Sequence, residues 1–174
     1  MDVRNVLVER VLVAVGDDAV AITSGEMYQG RKFALPAENM LFRNCVFLHR
    51  FFAIGSGTAA GVRNITVEDC VMGALPTDGY GPHYGPSADA GINIKTERGN
   101  GGWIEDVTFR NIKIVGRVDE WDLLPAMPIR VALIYAYNDA VKPPTNVSAT
   151  PKLRRVSFIN ITAHAACAPD YWRP

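Results

Sequence analysis

Residues 65–72 read ITVEDCVM, an eight-residue phrase with apolar side chains at its first, third, sixth and eighth places. On a helix these four places would scatter around the axis. Two short alternating strands joined by a bend would instead direct all four to one side. The phrase therefore predicts β-structure with one apolar wall.

Copies of this phrase begin at Val6, Met40, Ile65, Val107 and Val156. Polar residues precede the copies and occupy the bends, where short polar side chains can hydrogen-bond local backbone. No copy can bury its own wall, so the copies are expected to stack as coils around one continuous core. The sequence thus predicts an all-β fold, a parallel β-helix, formed as a single domain over residues 1–174.

A second set of apolar stretches lies at residues 19–22, 52–57, 91–96 and 131–135 and predicts a second strand face for each coil. On this alignment Ile22, Ile54 and Ile94 should be neighbours in adjacent coils. The polar residues beside these stretches should form one stripe, made of Asp17, Asp18, His49, Arg50, Asn93, Lys95, Tyr135 and Tyr137. Carboxylates, an imidazole, an ammonium and a phenol on one stripe indicate a hydrolase.

The charge balance excludes several classes of partner. Lys plus Arg and Asp plus Glu each number 18, so no overall basic field would attract nucleic acid or an anionic membrane. The sequence contains neither an apolar run near the roughly 18 residues that span a bilayer nor a signal peptide. Recognition of a charged ligand must therefore rest on local groups.

Three cysteines show no metal-ligand spacing. Cys45 and Cys70 occupy the same place in successive copies and should lie one above the other in the core. Buried thiols are the expected state, although stacked strands lie within disulfide reach and the pairing stays open.

The first copy starts close to Met1, and no segment before it resembles the caps that solenoids normally carry. We therefore expect either that further coils precede Met1 or that the open end associates with another subunit.

Three motifs occur together in a fixed order: GDDAVAITSG at 16–25, IGSGTAAGVRNITVEDC at 54–70 and INIKTERGNGG at 92–102. With His49 between the first two, the pattern resembles the polygalacturonases of glycoside hydrolase family 28. The resemblance implies a right-handed parallel β-helix that hydrolyses pectic polysaccharide with inversion. It also implies an oligo- or polysaccharide substrate, no cofactor, no metal site, and an extracellular or periplasmic location.

The resemblance assigns roles to individual residues. Asp17 matches the general acid of the family and Asp18 one of the carboxylates that activate water. His49 matches a histidine beside the acid, and Lys95 matches the lysine of an R-x-K pair that binds the galacturonate carboxylate. Tyr137 best matches a tyrosine near the cleavage site, with Tyr135 as the alternative.

The chain also departs from the family pattern. Asn93 replaces the arginine of R-x-K, and Arg50 replaces a glycine, so the substrate-binding set becomes Lys95, Asn93, Tyr137 and Arg50. A lysine alone offers a point charge without the bidentate fork of arginine, which predicts weak selectivity for a carboxylate. A further family aspartate, in an N-T-D motif one coil earlier, has no counterpart after Met1.

Two other functions remain open. A catalytically inactive β-helix that binds saccharide or serves assembly would explain the missing aspartate and Asn93. A calcium-dependent polysaccharide lyase is the third interpretation. It ranks last because such a site needs a cluster of carboxylates, and the stripe offers only Asp17 and Asp18.

Overall fold

The computed structural model describes residues 3–15, 17–48, 51–73, 91–117, 128–133 and 149–166. Its elements, in chain order, are β1 (Val3–Glu9), β2 (Leu12–Val13), β3 (Val20–Ile22), α1 (Met27–Phe33), β4 (Ala37–Arg43), β5 (Val46–Phe47), β6 (Phe51–Ile54), β7 (Val62–Gly73), β8 (Gly91–Lys95), β9 (Trp103–Arg117), β10 (Ile129–Ala132) and β11 (Lys152–Ala166).

The strands form two parallel sheets. The long sheet contains β1, β2, β4, β5, β7, β9 and β11, and the short sheet contains β3, β6, β8 and β10. All strand pairings among the described residues are parallel, and strands from successive repeats lie side by side. The prediction of a right-handed parallel β-helix is confirmed.

The register follows the apolar repeat. The first positions of the five phrases pair in one column, in the order Val6, Met40, Ile65, Val107 and Val156. In the short sheet Ile54 pairs with both Ile22 and Ile94, as expected. Alternate side chains of a strand face the core, and a shift of one residue would turn them outward. The apolar positions of each copy therefore fix its alignment with the next copy.

Aromatic rings join the two sheets. Phe52 of the short sheet is fully buried and meets Phe42, Phe47 and Phe109 of the long sheet edge-on, with ring centroids 4.9, 5.6 and 5.6 Å away. Edge-to-face pairs at this spacing add to the stabilisation from burial alone. This cluster holds the short sheet in place against the interior of the coil.

Cys45 and Cys70 are neighbours in adjacent coils, as predicted. The backbone N–H of Cys45 donates to Cys70 Sγ at 3.4 Å, and both side chains are buried free thiols. Burial raises the pKa of the Cys70 thiol to about 12. Cys167 lies outside the described residues.

The polar positions of the repeat have left-handed backbone. φ lies between 50° and 59° at the residues before the five phrases and between 51° and 55° at their bends. Asparagine tolerates this conformation better than most residues. The side chains also form ladders between coils, as in the Asn64 to Asn39 to Asn5 series with N–O distances of 2.9 and 3.1 Å. The polar positions therefore link successive coils, in addition to any local role.

The first coil exposes several apolar side chains. β1, β2 and β3 lie at sheet edges and each pairs on one side. Leu7 and Leu12 are 56% and 58% exposed, and Val11 of the first phrase is also exposed. The prediction that this end of the solenoid associates with another chain segment or subunit stays a prediction.

Candidate active site

Two residues of the predicted stripe, Asn93 and Lys95, lie on the outer face of the short sheet. Ile92 and Ile94 point into the core and are fully buried, so the residues that alternate with them face outward. Ala21, Ala53 and Asn93 form one outward column, with Arg130 of β10 in register with Asn93. Ala53 and Asn93 of this column are nonetheless buried, at 0% and 3% exposed.

Asp17 and Asp18 stand directly before β3. The hydrogen bonds that join β3 to the next coil begin at Ala19, whose N–H donates to Phe51 O at 3.0 Å. The N–H of Asp18 donates to Asp17 Oδ1 at 2.9 Å, so the first carboxylate folds over the backbone of the second. Asp17 is exposed, whereas the Asp18 side chain is only 14% exposed. The two adjacent carboxylates therefore occupy different environments at the edge of one sheet.

Lys95 reaches Asp18 across two coils. Its Nζ lies 2.7 Å from Asp18 Oδ2, and the lysine side chain is 13% exposed. β8 and β3 are separated by β6, a distance of two strand spacings or about 10 Å, so the extended lysine runs along the outer face. Two residues selected from motifs 77 positions apart are thus in direct contact.

Asn93 is buried on the same face. The residue is 3% exposed, and its Oδ1 has no hydrogen-bond partner among the described residues. An unsatisfied buried amide oxygen is costly in a native structure, so it marks a place where a ligand or water would be stabilised. The role of Asn93 in substrate binding, which the sequence suggests, stays a prediction.

Arg130 is a residue that the sequence analysis missed. It faces outward in register with Asn93, because Ile129 and Val131 on either side pair with the inward Ile92 and Ile94. The side chain is partly exposed and has no hydrogen bond or ion pair with the residues described. Aligning IRVA at 129–132 with INIK at 92–95 would have revealed it from the sequence.

Several predicted residues lie outside the described part of the chain. These are His49, Arg50, Tyr135 and Tyr137, and their placement in the site stays a prediction. The described residues contain no group of three or more His, Cys, Asp or Glu side chains that could hold a metal ion. Within the same residues, no helix is long and apolar enough to span a membrane.

Comparison with known proteins places this site in a family. The model of the glycosyl hydrolases family 28 matches residues 1–168, which include every predicted site residue. The chain belongs to glycosyl hydrolases family 28. The resemblance drawn from the three sequence motifs is therefore confirmed.

Two relatives in this family have names that describe their activity. A probable polygalacturonase of Vitis vinifera is 26% identical over 111 residues, which cover 62% of this chain and 20% of that protein. The crystal structure of a hyperthermoactive exopolygalacturonase from Thermotoga maritima superimposes with a TM-score of 0.63 and 21% identity. That match covers 94% of this chain and 32% of the other. This family 28 chain thus spans about a fifth to a third of the length of these relatives.

Proposed function

We propose that this chain forms part of a glycosidase that hydrolyses pectic or related acidic saccharide by single-displacement inversion. The supporting observation is the Asp18–Lys95 ion pair beside Asp17 on the outer face of the short sheet, in a family 28 chain. The names of both relatives, each a polygalacturonase, agree with this substrate class.

The chemistry divides the two carboxyl groups between two tasks. Asp17, as the protonated acid, donates its proton to the glycosidic oxygen as the bond to the anomeric carbon breaks. Asp18 accepts a proton from the water that attacks this carbon from the opposite side of the ring. A carboxylate is the form that a general base needs, and ion pairing with Lys95 is consistent with this form. Inversion follows because attack and departure occur on opposite faces.

Recognition of the substrate carboxylate is assigned to Arg130 as well as Lys95. The ammonium of Lys95 is already 2.7 Å from Asp18, which leaves it less available to a ligand. Arg130 has a guanidinium that can bind a carboxylate through two parallel hydrogen bonds, one coil beyond Asn93. The expectation of weak carboxylate selectivity, which counted Lys95 as the main cation, is replaced here by selectivity that depends on Arg130.

The test is the release of reducing ends from polygalacturonate by the whole protein, with and without a chelator. Chelator-resistant hydrolysis is expected, and the first product should have the anomeric configuration opposite to that of the substrate. Calcium-dependent formation of an unsaturated sugar would instead establish the lyase interpretation. The proposal places the reaction at extracellular or periplasmic pectic material.

A catalytically inactive saccharide-binding β-helix is the second candidate, and one observation favours it. Asp18 and Lys95 neutralise each other, and a satisfied ion pair can serve structure alone. Oligogalacturonide binding without product formation by the whole protein would establish this alternative.

A further inference from the structure

A second concave site lies at a different corner of the coil from Asp17 and Asp18. It is a cavity of about 400 Å³, within the size range of small-ligand sites. Arg31, Trp103 and Lys152 supply its larger side chains. Asp17 and Asp18 precede the first strand of the short sheet, whereas these residues come from α1 and from the starts of β9 and β11, where coils return to the long sheet. None of the described residues that line the cavity therefore belongs to the candidate active site.

One wall of the cavity is held in place by a network between coils. The Arg31 guanidinium donates through Nη1 to Gly99 O and Asn100 O, at 2.5 and 2.7 Å. Asn100 is 1% exposed, and its Oδ1 accepts the N–H of Met27 at the start of α1 at 2.8 Å. The side chain of Asn100 also donates to Ser56 O at 2.7 Å. Arg31 is thus fixed at the cavity before any ligand arrives, which lowers the entropic cost of binding.

The aromatic wall depends on a glycine. The indole of Trp103 lies so close to Gly61 that a Cβ at position 61 would be 2.3 Å from a ring atom. Gly61 also has a φ of 99°, a conformation that L side chains rarely adopt. The indole therefore packs on the preceding coil, the Arg63 guanidinium lies 5.7 Å from the ring centroid, and part of the ring borders the cavity.

The charge at this cavity is positive. Lys152 and Arg31 are both exposed cations, and the described residues that line the cavity include no carboxylate. The chain as a whole has equal numbers of acidic and basic residues, so the two cations at the cavity form a local excess that overall composition does not reveal. An aromatic ring beside two cations suits a ligand that has both a flat apolar face and a negative charge.

We propose that this cavity binds an acidic saccharide at a second, non-catalytic site. A uronic acid suits these walls, since its ring can pack against the part of Trp103 that borders the cavity while its carboxylate pairs with Lys152 and Arg31. The choice of saccharide rests on the proposed function, whereas the affinity for an anion with a flat face rests on the cavity itself. A polymer held here is tethered to the chain, which raises its effective concentration at the outer face of the short sheet.

The experiment follows the indole N–H signal of Trp103 by NMR, assigned with the Trp103→Phe variant, during titration with tri-galacturonate. We expect the signal to shift and saturate. The neutral galactose trisaccharide should bind at least about 10-fold more weakly than tri-galacturonate. Lys152→Glu should weaken tri-galacturonate binding at this signal by about 10-fold. Arg154→Glu is the matched control, since Arg154 is an exposed cation on the same strand that does not line the cavity.

Each outcome decides between the two proposals. A Trp103 signal that does not move with tri-galacturonate, or that responds equally in Lys152→Glu and Arg154→Glu, overturns the second site. A signal that titrates as expected in a protein without hydrolytic activity supports the second site and leaves only the proposed function refuted. In an active protein, Lys152→Glu should raise KM for polygalacturonate by about 3-fold to 10-fold and leave kcat unchanged.

Discussion

The Asp18–Lys95 contact should be measurable as a coupling free energy between the two side chains. At an N–O distance of 2.7 Å and an effective dielectric constant of 20, the Coulomb attraction is about 6 kcal/mol. Removing two charged groups from water opposes it by several kcal/mol. Solvent-exposed ion pairs typically have a coupling free energy of about 0.2–1 kcal/mol. The side chains of Asp18 and Lys95 are mostly buried, so their coupling should be larger. We therefore expect a coupling free energy of about 1.5–2 kcal/mol.

A double-mutant cycle measures this quantity. The cycle uses the wild type, Asp18→Asn, Lys95→Met and the double variant, with the free energy of unfolding obtained from urea denaturation. The control is a cycle on Arg155 and Asp106, an ion pair whose side chains are 60% and 45% exposed. That pair should show a smaller coupling than Asp18 and Lys95, and its coupling should weaken more strongly with added salt. A coupling between Asp18 and Lys95 that is below about 0.5 kcal/mol, or no larger than that of the control, would refute the buried pair.

Three further predictions concern activity and the core. Asp17→Asn should lower kcat of the whole protein by about 10³-fold or more while oligogalacturonide binding survives, and near-normal turnover would reject Asp17 as the acid. Arg130→Gln should lower the ratio of kcat/KM for a galacturonide to that for the matching galactoside by about 10-fold to 100-fold. In the control variant Arg154→Gln this ratio should stay unchanged. Because Cys45 and Cys70 are both buried, and burial raises the pKa of the Cys70 thiol to about 12, the two thiols should resist alkylation at pH 8 in the native protein and react after unfolding; equal rates in both states would contradict their burial.

The architecture could be predicted from the sequence because its cause is local and repeated. Each eight-residue phrase has one apolar wall, and parallel coils bury these walls only when equivalent positions align. Two columns of paired residues follow from this requirement. One crosses the long sheet from Val6 to Val156, and the other crosses the short sheet from Ile22 to Ile94. The stacking of Cys45 on Cys70 has the same origin.

The short helix α1 shows where such prediction ends. The helix has only seven residues, too few for an apolar period to indicate a packed helix, and its Tyr28 and Phe33 are exposed. The residue that anchors its start is Asn100, whose side chain accepts the N–H of Met27 from 73 positions away. Nothing in the sequence of residues 27–33 identifies Asn100 as the partner of this helix.

Which side chains meet in the candidate sites also depended on contacts between distant parts of the chain. Asp17, Asp18 and Lys95 could be selected from their motifs, and the aligned coils explain why they share one face. The reach of Lys95 to Asp18 depends on the path of a long side chain across two strand spacings. The cavity at Trp103 depends on contacts between α1 and two later coils. Sequence periodicity determines which residues lie in register, whereas side-chain reach and the packing of the turns determine which of them meet.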